Sequence, residues 1–65
     1  MKTKLSLDQI HEYFPQQMSF AFCLNQLRRL HIHFLNLGNI VICPQQHCFI
    51  IFQHKCLIRI ENYKS

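Results

Sequence analysis

Four cysteines and five histidines stand among 65 residues, and they are the side chains with the most chemistry to offer. Cys43-Pro-Gln-Gln-His-Cys48, followed by His54 and Cys56, is a zinc-type donor set, because thiolate and neutral imidazole both suit that ion. The spacing matches no diagnostic zinc pattern. Cys43, Cys48, His54 and Cys56 are therefore the candidate metal ligands, and zinc the one cofactor to weigh. Buried cysteines acting as small hydrophobes are the competing and favoured reading. Cys43 and Cys48 would also suit a disulfide if the chain met an oxidising compartment.

Nucleophilic catalysis finds little support. His47 and Cys48 are neighbours, but successive side chains of a strand point to opposite faces, so adjacency does not make a dyad. Asp8 and Glu12 lie four apart on one helix face, where a solvated surface accounts for them. A chain this short seldom builds a pocket that excludes water. The expectation is a non-enzymatic protein.

Seven Lys or Arg against three acids give a net charge of +4, which favours polyanions. Full protonation of the five histidines adds five more positive charges. Arg28, Arg29 and His33 form the candidate polyanion-binding group. With Lys2, Lys4 and Lys55 elsewhere, they support weak, salt-sensitive and non-specific nucleic-acid binding at best. A solvated helix face is the bland alternative.

These residues need elements to hold them. Ser6 and Gln9 spell a capping box, Asp8 adds a negative charge at the helix start, and Leu5 with Ile10 forms a hydrophobic staple. Pro15 biases Phe14 away from helical geometry, so this first helix is short and falls within 6–14. Ser19 caps a second helix. Phe20, Leu24, Leu27, Leu30, Phe34 and Leu37 recur at steps of three and four, bordered by Cys23 and Ile32, which predicts an amphipathic helix over 19–37. Gly38 is then its left-handed C-terminal residue.

Beyond Gly38, short runs rich in Ile and Phe predict three antiparallel strands within 39–61: Asn39 to Cys43, Cys48 to Phe52 and Cys56 to Ile60. In the third, Cys56, Ile58 and Ile60 alternate with Leu57, Arg59 and Glu61. Strand two is apolar throughout, which suits a central strand covered on one side with its other face left apolar. This meander bears on the metal question: Cys43 faces Cys48 across one hairpin, while Cys56 flanks the other. At ~3.3 Å per residue, Cys48 and Phe52 are roughly 13 Å apart, too far for one tetrahedral site.

The fold class is thus α+β, one small domain with a short capped helix, a longer amphipathic helix and a three-stranded meander. A hydrophobic share of 49% is ordinary, but there is one Ala, one Val and one Gly. Such scarcity suits an AT-rich coding sequence, and equally a translated reading frame with no evolved function. Asp8, Glu12 and Pro15 stand where a signal peptide would be apolar, and charges interrupt every long apolar run, so the chain reads as intracellular with free thiols. The expected role is a binding or interaction module in which the basic helix face or the apolar sheet face meets a macromolecule, a protein partner among the candidates. A membrane-surface microprotein laying the 18–37 helix on an anionic membrane is the alternative.

Overall fold

The computed structural model describes residues 5–63; Lys2, Lys4 and Lys64 lie outside them. Helix α1 is Leu7–Tyr13, and its capping box forms as the sequence predicts. The Gln9 N–H donates to Ser6 Oγ at 3.3 Å, and the Ser6 N–H donates to Gln9 Oε1 at 2.9 Å. Two otherwise orphaned amides are satisfied in this way. Ile10 and Phe14 turn into the core, and Phe14 leaves helical geometry just ahead of Pro15.

The connection that follows is tied to the sheet. Gln17, with φ of 73°, donates its N–H to Leu57 O at 2.7 Å, and the Leu57 N–H donates to Met18 O at 2.8 Å. Ser19 then caps helix α2, Phe20–Arg29, accepting from the Phe22 N–H at 3.1 Å.

Helix α2 is shorter than its periodicity predicts. It stops at Arg29 rather than running to Leu37. The His31 N–H donates to Arg28 O at 3.1 Å and the Ile32 N–H to Leu27 O at 2.9 Å, the paired bonds of a Schellman ending. His31 takes the left-handed conformation, with φ of 58°, that Gly38 was expected to supply. Ile32, buried, then shares the core with Leu27, the apolar contact that often accompanies this ending.

Residues freed from the helix build a strand instead. The sheet has four strands in the order β1 (Leu35–Asn36), β2 (Ile40–Cys43), β3 (Cys48–Gln53) and β4 (Cys56–Asn62), antiparallel throughout. Three of these match the predicted strands to within two residues, and β1 is additional. Gly38 serves the β1–β2 turn: its φ is 92°, its N–H donates to Asn36 Oδ1 at 3.0 Å, and the Leu37 N–H donates to Ile40 O at 2.9 Å across the turn. Glycine at the first central position fits a two-residue hairpin of the II′ pattern.

The alternation in β4 is also broken. Ile51 pairs with Arg59 but Phe52 pairs with Leu57, so Ile58 is a bulge residue. Leu57 therefore enters the core beside Phe52, although simple alternation puts it on the same face as Arg59. Gln16 Nε2 donates to the carbonyl of Ile58 at 2.7 Å, satisfying the bulge.

Helices cover one face of the sheet only. Ile10, Phe14, Cys23, Leu27 and Ile32 from the helical layer meet Val41, Cys43, Cys48, Ile50, Phe52 and Leu57 from the strands. Phe20 packs edge-on against Phe52, with ring centroids 4.9 Å apart. Leu37, expected in the helix stripe, is 63% exposed.

Candidate functional site

The donor set comes apart on the strands. Cys43 and Cys48 are directly opposed across β2 and β3, at the end of the sheet closed by the Pro44–Gln46 turn. Cys56 pairs with Gln53 at the other end, and His54 sits in the turn there. The length of β3 separates the two halves, roughly 16 Å at ~3.3 Å per residue. Among the described residues, no three His, Cys, Asp or Glu side chains are placed to hold a metal ion.

The cysteines are instead part of the packing. Cys23, Cys43 and Cys48 are all fully buried, and all four cysteines are free thiols. Burial pushes the Cys23 thiol up to about 12. Contact with the Cys48 side chain, followed by burial, drives Cys43 upward as well. Removing a proton here would leave a charge in apolar surroundings, so Cys23 and Cys43 behave as small hydrophobes at neutral pH.

Arg28 and Arg29 fall in the last turn of α2, where cations complement the helix dipole. Arg28 Nη1 donates to Asn25 Oδ1 at 3.4 Å, and its guanidinium lies 5.9 Å from the Phe34 ring centroid. His33 is exposed beyond the helix end. Arg28 and Arg29 thus have a structural occupation at the end of α2, while His33 has only its exposed position beyond it.

The outer face of the sheet has no such occupation. Strand register sets two rows across it. Leu35, Ile42, Phe49 and Glu61 are successive partners in one row. Leu37, Ile40, Ile51 and Arg59 form the next, with Leu37 joined through its bond to Ile40. Leu35, Leu37 and Ile40 are 47%, 63% and 38% exposed, while Ile42, Phe49 and Ile51 are half-buried between their neighbours. No residue of either row belongs to the core or packs against it. Tyr63 extends the face, its ring centroid 4.8 Å from that of Phe49, and Arg59 Nε bridges Glu61 Oε2 at 2.8 Å on its margin.

Six apolar side chains lie in one continuous patch, and the largest such patch on a small protein is often a functional one. An apolar second face is legible in the uninterrupted Cys48-Phe49-Ile50-Ile51-Phe52 run. The part contributed by Leu35 and Leu37 is not, because their spacing also fits a helix; the only local hint is turn chemistry at Asn36-Leu37-Gly38-Asn39. Among the described residues no helix is long and apolar enough to cross a membrane. Compared with protein family models, with curated proteins and with solved structures, the chain matches none.

Proposed function

We propose that this protein is a non-enzymatic interaction module whose working surface is the outer face of the four-stranded sheet. One observation carries the reading: Leu35, Leu37, Ile40, Ile42, Phe49 and Ile51 form a single apolar patch with no covering layer among the described residues. Burying such a patch is favourable by roughly 25 cal/mol per Å² of apolar surface removed from water. A partner of matching shape recovers that free energy.

The helical side supports binding less well. Phe20, Leu24 and Phe34, the bulky residues that an interfacial helix would lay in a bilayer, pack against the core. Only Phe22 on that helix is a large exposed hydrophobe. Arg28 and Arg29 are two cations on a ten-residue helix, a small footprint for a polyanion.

A photoreactive benzophenone side chain at position 49, in protein expressed in cells, tests the proposal. The expected result is one discrete adduct, lost on Ile51→Lys, with none from the same group at Gln26 on the helical side. Adducts from position 26 and none from position 49 would overturn the reading.

A further inference from the structure

The two rows carry the same order of chemical types. From β1 to β4 one reads Leu35, Ile42, Phe49, Glu61, and the other Leu37, Ile40, Ile51, Arg59. In each, a leucine, an isoleucine and a third bulky apolar residue end in a charge, and the two charges are opposite. Such a face is complementary to itself. A two-fold axis lying across the strands between the rows exchanges one row for the other. It sets Leu35 over Leu37, Ile42 over Ile40, Phe49 over Ile51 and Glu61 over Arg59, each pairing occurring twice.

Resting on the reading of this face as the docking surface, we infer that its partner is a second copy of this chain, packed sheet on sheet about such an axis. Two sheets meeting this way have their mean strand directions within about 30° of each other and lie ~10 Å apart, with inner side chains interdigitating. Charge permits the arrangement despite the net positive chain. Arg59 and Glu61 leave the two rows neutral, while Arg28 and Arg29 stand on the helical layer behind the sheet. Flanking positions are compatible too. His47 and Tyr63 beyond one row fall over Gln53 and Cys56 beyond the other, so like charges are not opposed.

The patch also sets the strength of the association. Four strands ~4.8 Å apart and two rows ~7 Å apart cover a footprint of roughly 250–300 Å² per copy. The total lies below the ~1,200 Å² at which stable interfaces begin, so the dimer forms and dissociates with concentration.

Sedimentation velocity on the full chain tests this from ~10 µM to ~1 mM, the range a weak complex spans. Wild type should pass from monomer to dimer. Arg59→Glu and Glu61→Arg should each weaken dimerisation at least ~10-fold, because each sets like charges opposite one another twice. An equimolar mixture of these two variants should regain wild-type association, since every pairing is then between opposite charges. Both substituted residues are well exposed, so the monomer's fold is not at stake. Phe49→Lys, checked for folding by circular dichroism, should be monomeric throughout.

A wild type that stays monomeric at every concentration overturns the inference. So does a mixture that fails to associate, or a Phe49→Lys variant that dimerises normally. The outcome is separable from that of the docking surface itself. A position-49 adduct with the mass of another protein, together with a monomeric wild type, removes the second copy and leaves the surface.

Discussion

Ile32 donates its backbone N–H to the carbonyl of Leu27 at 2.9 Å, and both side chains are buried in the same core. That single contact ends α2 and turns the chain towards the sheet. It requires His31 to adopt a left-handed backbone, which costs an L-residue roughly 1–2 kcal/mol relative to glycine. His31→Gly should therefore stabilise the protein by about 1 kcal/mol and raise its melting temperature by roughly 4–8 °C. His31→Val should do the reverse, since a β-branched residue tolerates that geometry least. Thermal denaturation followed by circular dichroism reads both. Equal midpoints for the glycine and valine variants would mean that the helix does not end there.

The β3–β4 turn repeats the situation. His54 and Lys55, the two residues between Gln53 and Cys56, have φ of 55° and 62°. Positive φ at both central positions is what a type I′ turn requires, and Asn-Gly is the pair that adopts it with least strain. The double change His54→Asn with Lys55→Gly should add about 1 kcal/mol of stability without shifting the strand register. Urea titration gives the stability, and amide chemical shifts across β3 and β4 report the register.

These positions show what was legible in the sequence and what was not. Helix α1 reads directly, because a capping box and Pro15 are local signals within a few residues of the elements they bound. The Cys43–Cys48 pairing follows from the short Pro44–His47 connection. The end of α2 does not read, since Leu30, Phe34 and Leu37 keep helical spacing while glycine, the usual C-terminal signal, is displaced to position 38. Turn chemistry is weak throughout for the same compositional reason. With one glycine in the chain, Gln17, His31, His47, His54 and Lys55 occupy left-handed backbone that glycine or asparagine would ordinarily fill. The Ile58 bulge is equally silent, because it is set by tertiary pairing with Gln16 and β3. The candidate ligands Cys43, Cys48, His54 and Cys56 stand at opposite ends of β3, a separation that the meander already contained, and the outer face was only half visible because β1 was hidden in the apparent helix.

Gln46 offers a test of the core boundary. It is 8% exposed in the Pro44–Gln46 turn, and its Oε1 has no hydrogen-bond partner among the described residues. A buried orphan acceptor costs about 1–3 kcal/mol. Gln46→Met keeps similar volume and removes the unsatisfied oxygen, so it should stabilise the protein by roughly 1 kcal/mol in a urea titration. A destabilised variant would mean that a water or another donor satisfies that oxygen in solution.

The buried thiols set the response to alkali. Burial raises the Cys23 pKa from 9.0 to about 12, and Cys43 is shifted in the same direction. In the unfolded chain both return to ordinary values. Between about pH 9 and 12 the native state thus binds more protons than the unfolded state, and stability must fall as pH rises. Below that window both states hold neutral thiols and these groups contribute no slope. The expected loss from Cys23 approaches ~1.4 kcal/mol per pH unit inside the window; Cys48, whose contact with Cys43 shifts it downward, offsets part of the contribution of that pair. Urea midpoints at pH 7, 8.5 and 10 under reducing conditions measure it, with little change over the first interval and a marked drop over the second. Cys23→Ala should lower the midpoint at neutral pH, because it leaves a small cavity, yet flatten the alkaline drop by the share that Cys23 carries. If that variant keeps the full wild-type pH dependence, Cys23 is not the buried neutral thiol that links α2 to the sheet.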